Sequence, residues 1–196
     1  MPEDRDAFSD FIRALKAQLA SEKQQLLLAL PPKTCRGQTG LLCEAHDFRV
    51  LGRNADLCVL KNASVALGAP SALADIGRMN EAVRYAVSEI PAKKLLCSLP
   101  AGGLHWTLPW HQGQRARPLA GAQAAEQAVQ VGAPIRYDDA AQAPHYNFWR
   151  GGTEQEVWFE DARSYRAKCA LAAEYRLGGV AVPEAAQWYS QLWGIL

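Results

Sequence analysis

An excess of charge of either sign is the first thing missing from this sequence. Its 21 Lys and Arg offset 20 Asp and Glu, for a formal net charge of +1. So balanced a chain gives no electrostatic reason to bind nucleic acid or an anionic membrane surface. Long apolar runs are missing too, since none approaches the roughly 20 residues that a membrane-spanning helix needs. The opening Met1-Pro2-Glu3-Asp4-Arg5-Asp6 is acidic and has no apolar stretch, so it does not read as a signal peptide, and the chain as written reads as cytoplasmic. No Cys-x-x-Cys occurs among the five cysteines. Cys58 and Cys97 lie in apolar runs and read as buried thiols, while Cys35 lies in a loop with nothing to mark it as a nucleophile. His46, His105, His111 and His145 include no pair four apart, so the spacing of a zinc-binding helix is absent. Gly102-Gly103 and Gly151-Gly152 lack the flanking residues of a phosphate-binding loop. No metal and no cofactor is therefore expected.

What is present is a repeated sentence of helix and short apolar run. Residues 3–22 predict a helix with Phe8, Phe11, Ile12, Leu15 and Leu19 on one stripe. Leu26-Leu27-Leu28-Ala29-Leu30 follows, apolar without alternation and stopped by Pro31-Pro32. A strand buried on both faces of a parallel sheet requires such a run. The pattern recurs as a short helix over 46–54 with Leu57-Cys58-Val59-Leu60, and as a helix over 72–90 with Leu95-Leu96-Cys97-Ser98-Leu99. Its fourth occurrence is a helix over 161–176, N-capped by Asp161 and followed by Gly178, with Val180-Ala181-Val182. Residues 185–195 are expected to close the chain as a short helix. Four such alternations are the mark of parallel βα units with right-handed crossovers.

The stretch 101–160 interrupts this pattern. It holds four of the six tryptophans and alternating segments such as Glu156-Val157-Trp158-Phe159. It reads as a small α+β insertion, with a helix near 121–131, antiparallel strands after it, and a hairpin turn at Arg150-Gly151-Gly152-Thr153. The remainder, residues 1–100 and 161–196, has room for about half of a (β/α)8 barrel, which takes about 250 residues when complete. The expected fold class is thus α/β, a partial barrel of four βα units with an α+β insertion.

Several segments, in order, resemble glycoside hydrolase family 18, in the branch of spore-cortex and spore-germination hydrolases. Pro2 to Phe8 resembles the segment just after the family's catalytic glutamate. Leu28-Ala29-Leu30-Pro31-Pro32-Lys33 resembles the fifth barrel strand, Glu44-Ala45-His46-Asp47-Phe48 a turn before the next short helix, and Pro91 to Leu96 the seventh strand and its lead-in. The block from Tyr137 to Ser164 is the strongest match. The resemblance covers nearly the whole chain and implies the C-terminal half of a barrel.

It also implies an activity, hydrolysis of β-1,4 bonds next to N-acetylated sugars by substrate-assisted catalysis. The residues for that step depart from the family. Its Asp-x-x-Asp-x-Asp-x-Glu motif does not occur in this sequence, and the chain is expected to begin just downstream of it. Where the sixth strand of the family ends in Met-x-Tyr-Asp, this sequence has Lys61-Asn62-Ala63-Ser64, and alanine cannot donate the tyrosine's hydrogen bond. Gly103-Leu104-His105-Trp106 stands for Gly-Tyr-Asp-Trp, and Pro183, followed by Glu184, for the tryptophan that floors the sugar site. No catalytic residue is therefore assigned.

The candidate substrate-binding residues are Trp106, Trp110, Asp138, Tyr146 and Trp158, with Trp149 beside them. The aromatic rings offer broad apolar faces to a sugar, with Trp106 and Trp110 expected on a loop at the end of a barrel strand. The competing expectation is that these rings form the insertion's core, Trp158 above all. Among the other acids, Asp161 reads as an N-cap and Glu184 as a loop acid. Expected partners are N-acetylglucosamine oligomers or peptidoglycan, and a homodimer through the exposed barrel edges. Three readings remain open: a glycan-binding domain without turnover, half of an active hydrolase, and a structural or interaction domain with no sugar role.

Overall fold

A computed structural model describes residues 4–61, 68–182 and 194–195. In chain order the elements are α1 (Asp4–Ser21), β1 (Leu27–Leu30), α2 (Phe48–Asn54), β2 (Leu57–Leu60), α3 (Ile76–Glu89), β3 (Leu95–Ser98), β4 (Gly103–Thr107) and β5 (Arg117–Leu119). There follow α4 (Gly121–Gln130), β6 (Arg136–Asp138), β7 (Ala143–Arg150), β8 (Thr153–Phe159), α5 (Ala162–Glu174) and β9 (Gly179–Ala181). The chain divides into two compact units. One takes residues 4–61, 79–98 and 171–181, and the other 68–78, 99–170, 182 and 194–195. The expectations for Asn62, Ala63, Ser64, Pro183 and Glu184, and all but two residues of the closing helix over 185–195, lie outside the described residues.

The first unit is built on a parallel sheet in the order β1-β2-β3-β9, with Leu27 opposite Leu57, Cys58 opposite Leu95 and Cys97 opposite Val180. All four continuous apolar runs became strands. The helices that precede them begin where an acceptor is available for their free N–H groups. Thus α2 starts at Phe48 because the Asp47 carboxylate accepts from Val50 N at 3.1 Å, and α3 starts at Ile76, later than the spacing predicts, because Asp75 accepts from Arg78 N at 2.9 Å. At the other end of α2, Lys94 Nζ donates to the carbonyls of Gly52 (3.1 Å) and Ala55 (2.8 Å), placing a cation on the negative end of the helix dipole. Gly178 has a steric reason to be glycine, since a Cβ there would lie 2.4 Å from the Lys93 carbonyl oxygen.

The second unit is built on an antiparallel sheet in the order β5-β4-β8-β7-β6. The hairpin expected at residues 150–153 joins β7 to β8, with Arg150 opposite Thr153. Gly151 and Gly152 have φ of +58° and +77°, the left-handed pair that a two-residue hairpin turn needs. Alternation splits this sheet into two faces. Leu104, Trp106, Ala143 and Trp158 pack on one face with Ala72, Ala116 and Ala141, against Leu73 and Trp110. Tyr146, Phe148, Val157 and Phe159 pack on the other with Ala124 and Ala128 of α4. α5 is capped as the sequence predicts, with Asp161 Oδ1 accepting from Arg163 N (2.9 Å) and Ser164 N (3.1 Å).

Candidate functional site

The chemistry-bearing side chains gather in the second unit, and the structure sorts the sequence candidates sharply. Trp106 does not lie on a loop. It is the fourth residue of β4 and only 1% exposed, because strand alternation carries its side chain into the same face as Leu104. Trp158 on β8 sits in that face too. His145 stacks on it with ring centroids 4.5 Å apart, and Trp158 Nε1 donates to Glu156 Oε1 at 2.6 Å. Tyr146 belongs to the opposite face, buried at 1%, with its hydroxyl on the Ala124 carbonyl at 2.8 Å and Gln127 Oε1 at 3.0 Å. Burial holds that hydroxyl's pKa up at about 12. The rings of these three residues are filled by their own neighbours. Trp110 is half-buried beside the first face, and its Nε1 donates to the Gln114 carbonyl at 3.4 Å.

Asp138 closes a turn, its Oδ1 accepting from Ala141 N at 2.7 Å. Nearby, the Arg163 guanidinium lies over the Tyr137 ring at 4.5 Å, and the Tyr137 hydroxyl meets Gln142 Oε1 at 3.1 Å. The block from Tyr137 to Ser164 is thus knitted together internally. Near its C-terminal end Glu160 Oε2 accepts from Lys168 Nζ of α5 at 2.7 Å, with both side chains fully buried. Burial pushes the Glu160 carboxyl above the usual carboxylate range, and the ammonium beside it pulls the other way. Its second oxygen, Oε1, has no hydrogen-bond partner among the described residues.

Two features were not singled out from the sequence. The first is an open groove of about 510 Å³ lined by Leu108, Pro109, Trp149, Gly152, Thr153 and Glu154. Trp149 stands beside it 72% exposed, although its strand neighbour Phe148 is buried. The signal was the alternation of β7, which ends on a glycine turn and leaves its last aromatic beyond the covered part of the sheet.

The second feature is a polar pocket of about 200 Å³ lined by His105, Thr107, Arg115, Arg117, Arg150 and Gln155. His105 Nε2 meets Gln155 Oε1 at 3.0 Å, and Arg117 Nη2 meets His105 Nδ1 at 2.9 Å. A guanidinium can only donate, so Nδ1 is the acceptor and the imidazole is neutral with its proton on Nε2. Burial lowers the His105 pKa, the Gln155 bond opposes that, and Arg117 and Arg150 lower it further. Among the described residues no three His, Cys, Asp or Glu side chains converge as metal ligands.

Parallel βα units together with a separate helix-backed antiparallel sheet make this an α/β protein. The chain belongs to glycosyl hydrolase family 18, whose model matches residues 1–187. It is 36% identical over its whole length to the cortical fragment-lytic enzyme of Bacillus cereus, covering 46% of that protein. The crystal structure of the spore cortex-lytic enzyme SleL of Bacillus megaterium superposes with a TM-score of 0.93 at 36% identity, over 98% of this chain and 45% of that one. A chitinase from Chromobacterium violaceum superposes with a TM-score of 0.91 at 26% identity, over 99% of this chain and 61% of that one. The chain spans about half the length of the curated relatives it matches, 46% in the case of the Bacillus anthracis cortical fragment-lytic enzyme.

Proposed function

We propose that this chain is a glycan-binding part of a family 18 domain, recognising N-acetylglucosamine-containing polymers such as peptidoglycan, and that it does not hydrolyse them unaided. The observation that carries this reading is the 36% identity, over the full length of the chain, to an enzyme named for lysing cortical fragments. Hydrolysis by the family's mechanism calls for the Asp-x-x-Asp-x-Asp-x-Glu motif, and no such run occurs in these 196 residues. The four parallel strands are proposed to be part of an eight-stranded barrel, with residues 101–160 its α+β insertion. β1 and β9 end the sheet among the described residues, and such edges call for further strands, from a longer chain or from a second copy in a homodimer.

Sugar binding is assigned to Trp110 and Trp149 in place of Trp106, Tyr146 and Trp158, whose faces are occupied. A half-buried or exposed indole can stack on a pyranose, and Glu154 and Thr153 give the Trp149 groove polar edges. Titration of the chain with N-acetylglucosamine tetramer by calorimetry tests this. Binding should weaken about tenfold or more in Trp149→Ala, as loss of a stacking contact does, with no sugar released on long incubation. Unchanged isotherms in both Trp110→Ala and Trp149→Ala would remove the proposed surface. No binding at all would leave an interaction role without sugar. Turnover would return the chain to the hydrolases. Light scattering across a concentration series checks the homodimer.

A further inference from the structure

The pocket on the α4 side of the antiparallel sheet has no role in the reading above, and its charge is unbalanced. Arg115, Arg117 and Arg150 converge on about 200 Å³. Among the described residues none of the three makes an ion pair with a carboxylate. Two of the three are held in place. Arg117 is anchored by its bond to His105 Nδ1 at 2.9 Å, and the Arg150 guanidinium lies 5.4 Å from the Phe148 ring centroid. The floor is polar, half-buried to buried, and pre-arranged. His105 and Gln155 are each 7% exposed, and Gln155 Oε1 collects both the His105 Nε2 proton and the Thr107 hydroxyl at 3.1 Å. The neutral His105 matters here, because its acceptor nitrogen is what holds Arg117 in place. Fixed guanidinium forks around a small polar cavity suit a planar or tetrahedral oxyanion, which they bind through paired charge-assisted hydrogen bonds.

We propose that Arg115, Arg117 and Arg150, with Thr107 at the rim, form a binding site for a compact oxyanion, a carboxylate or phosphate group. The two sources of such a group are a free anion and an acidic substituent carried on a glycan. The second rests on the glycan reading above, and the first does not. All three arginines are exposed, so neutral substitutions there should leave the fold intact.

The test is a calorimetric titration at fixed ionic strength with inorganic phosphate, with acetate, and with the matched sugars N-acetylglucosamine and N-acetylmuramic acid, which differ by a carboxylate-bearing lactyl ether. The double variant Arg117→Gln/Arg150→Gln should lose binding by about tenfold or more, the loss expected for charge-assisted hydrogen bonds, while Arg84→Gln should not. Preference for N-acetylmuramic acid over N-acetylglucosamine, abolished in the double variant, supports a glycan-borne acid. Binding of phosphate or acetate without that sugar preference supports a free-anion site. Anion binding unchanged in the double variant, or no anion bound at millimolar concentration, overturns the proposal. Failure here with tetramer binding intact would leave the glycan reading standing.

Discussion

The two units solve the same problem, satisfying polar groups inside a fold, in opposite ways. In the parallel unit, buried or half-buried cations are spent on backbone. Lys94 closes the carbonyls at the end of α2. Lys33, only 2% exposed, donates to the Arg36 and His46 carbonyls. Asp56 accepts from Leu26 N at 2.7 Å and from Lys16. In the antiparallel unit, side chains are spent on one another: Glu160 on Lys168, Arg117 on His105, His105 and Thr107 on Gln155, Trp158 on Glu156. The first pattern holds a scaffold still and leaves over only a buried ring nitrogen, His46 Nδ1, among the described residues. The second leaves unused capacity, namely three guanidiniums without a carboxylate partner among the described residues and an exposed indole. Recognition chemistry needs that surplus.

The contrast breaks most visibly at Lys168. Replacing it with Met strands the Glu160 carboxylate in a fully buried site, and removing one partner of such a pair costs about 3–5 kcal/mol. Urea denaturation should show that loss in Lys168→Met. The pair replacement Lys168→Met/Glu160→Leu should recover most of it, because two apolar groups of similar size avoid the desolvation of two charges. A double variant no more stable than the single one would mean that the ion pair itself, and not the stranded charge, sets the cost.

The matching change in the parallel unit is Lys94→Met. Its loss frees two neutral carbonyls, reached by a half-buried ammonium, and strands no buried charge, so the cost should be smaller, about 1.5 kcal/mol. A penalty equal to that of Lys168→Met would erase the distinction between the units. A third step down is Asp138→Ala, which removes one turn hydrogen bond to Ala141 N and should cost about 1 kcal/mol, with sugar titrations unchanged. An effect on binding without one on stability would restore Asp138 as a ligand contact.

How legible each unit was follows from the same contrast. Parallel strands write themselves as unbroken apolar runs, and Leu57-Cys58-Val59-Leu60 and its fellows could be read directly, although burial on both faces fails at β1, where Leu27 and Ala29 are exposed. Helix starts were less legible. Residues 72–75 fit the apolar stripe but are not helical, because the Asp75 side chain decides where α3 begins. In the antiparallel unit alternation was visible, but not which face would be covered. The same Trp that stacks on a sugar from one register packs a core from the next. Trp106 and Trp149 lie on the same face, and only the first falls where that face is covered, so one packs a core and the other stays exposed. The arginine pocket was illegible because Arg115, Arg117 and Arg150 come together only through the β5-β4-β8-β7 order, with 32 residues between the last two in sequence.

The smallest expected effect is on pH dependence, and it compares one histidine from each unit. Burial is the largest cause lowering the pKa of both His46 and His105. Lys33 then adds to it for His46, and Arg117 and Arg150 add to it for His105 against the opposing Gln155 bond. The native state therefore binds these protons more weakly than the unfolded chain does. As pH falls through the ordinary value of 6.5 toward each lowered value, the unfolded state takes up protons first and stability declines, and above 6.5 this penalty is absent. The two should differ in what protonation disturbs. His46 Nδ1 has no hydrogen-bond partner among the described residues, so charging it breaks no such bond at that atom. Charging His105 replaces its acceptor with a donor facing the Arg117 guanidinium. Ring nitrogen NMR should place the His105 midpoint below 6.5, and Arg117→Gln should move it upward while leaving His46 unmoved. A His105 midpoint indifferent to Arg117→Gln would mean that the guanidinium does not act on the ring, and the pre-arranged pocket built on that contact would lose its anchor.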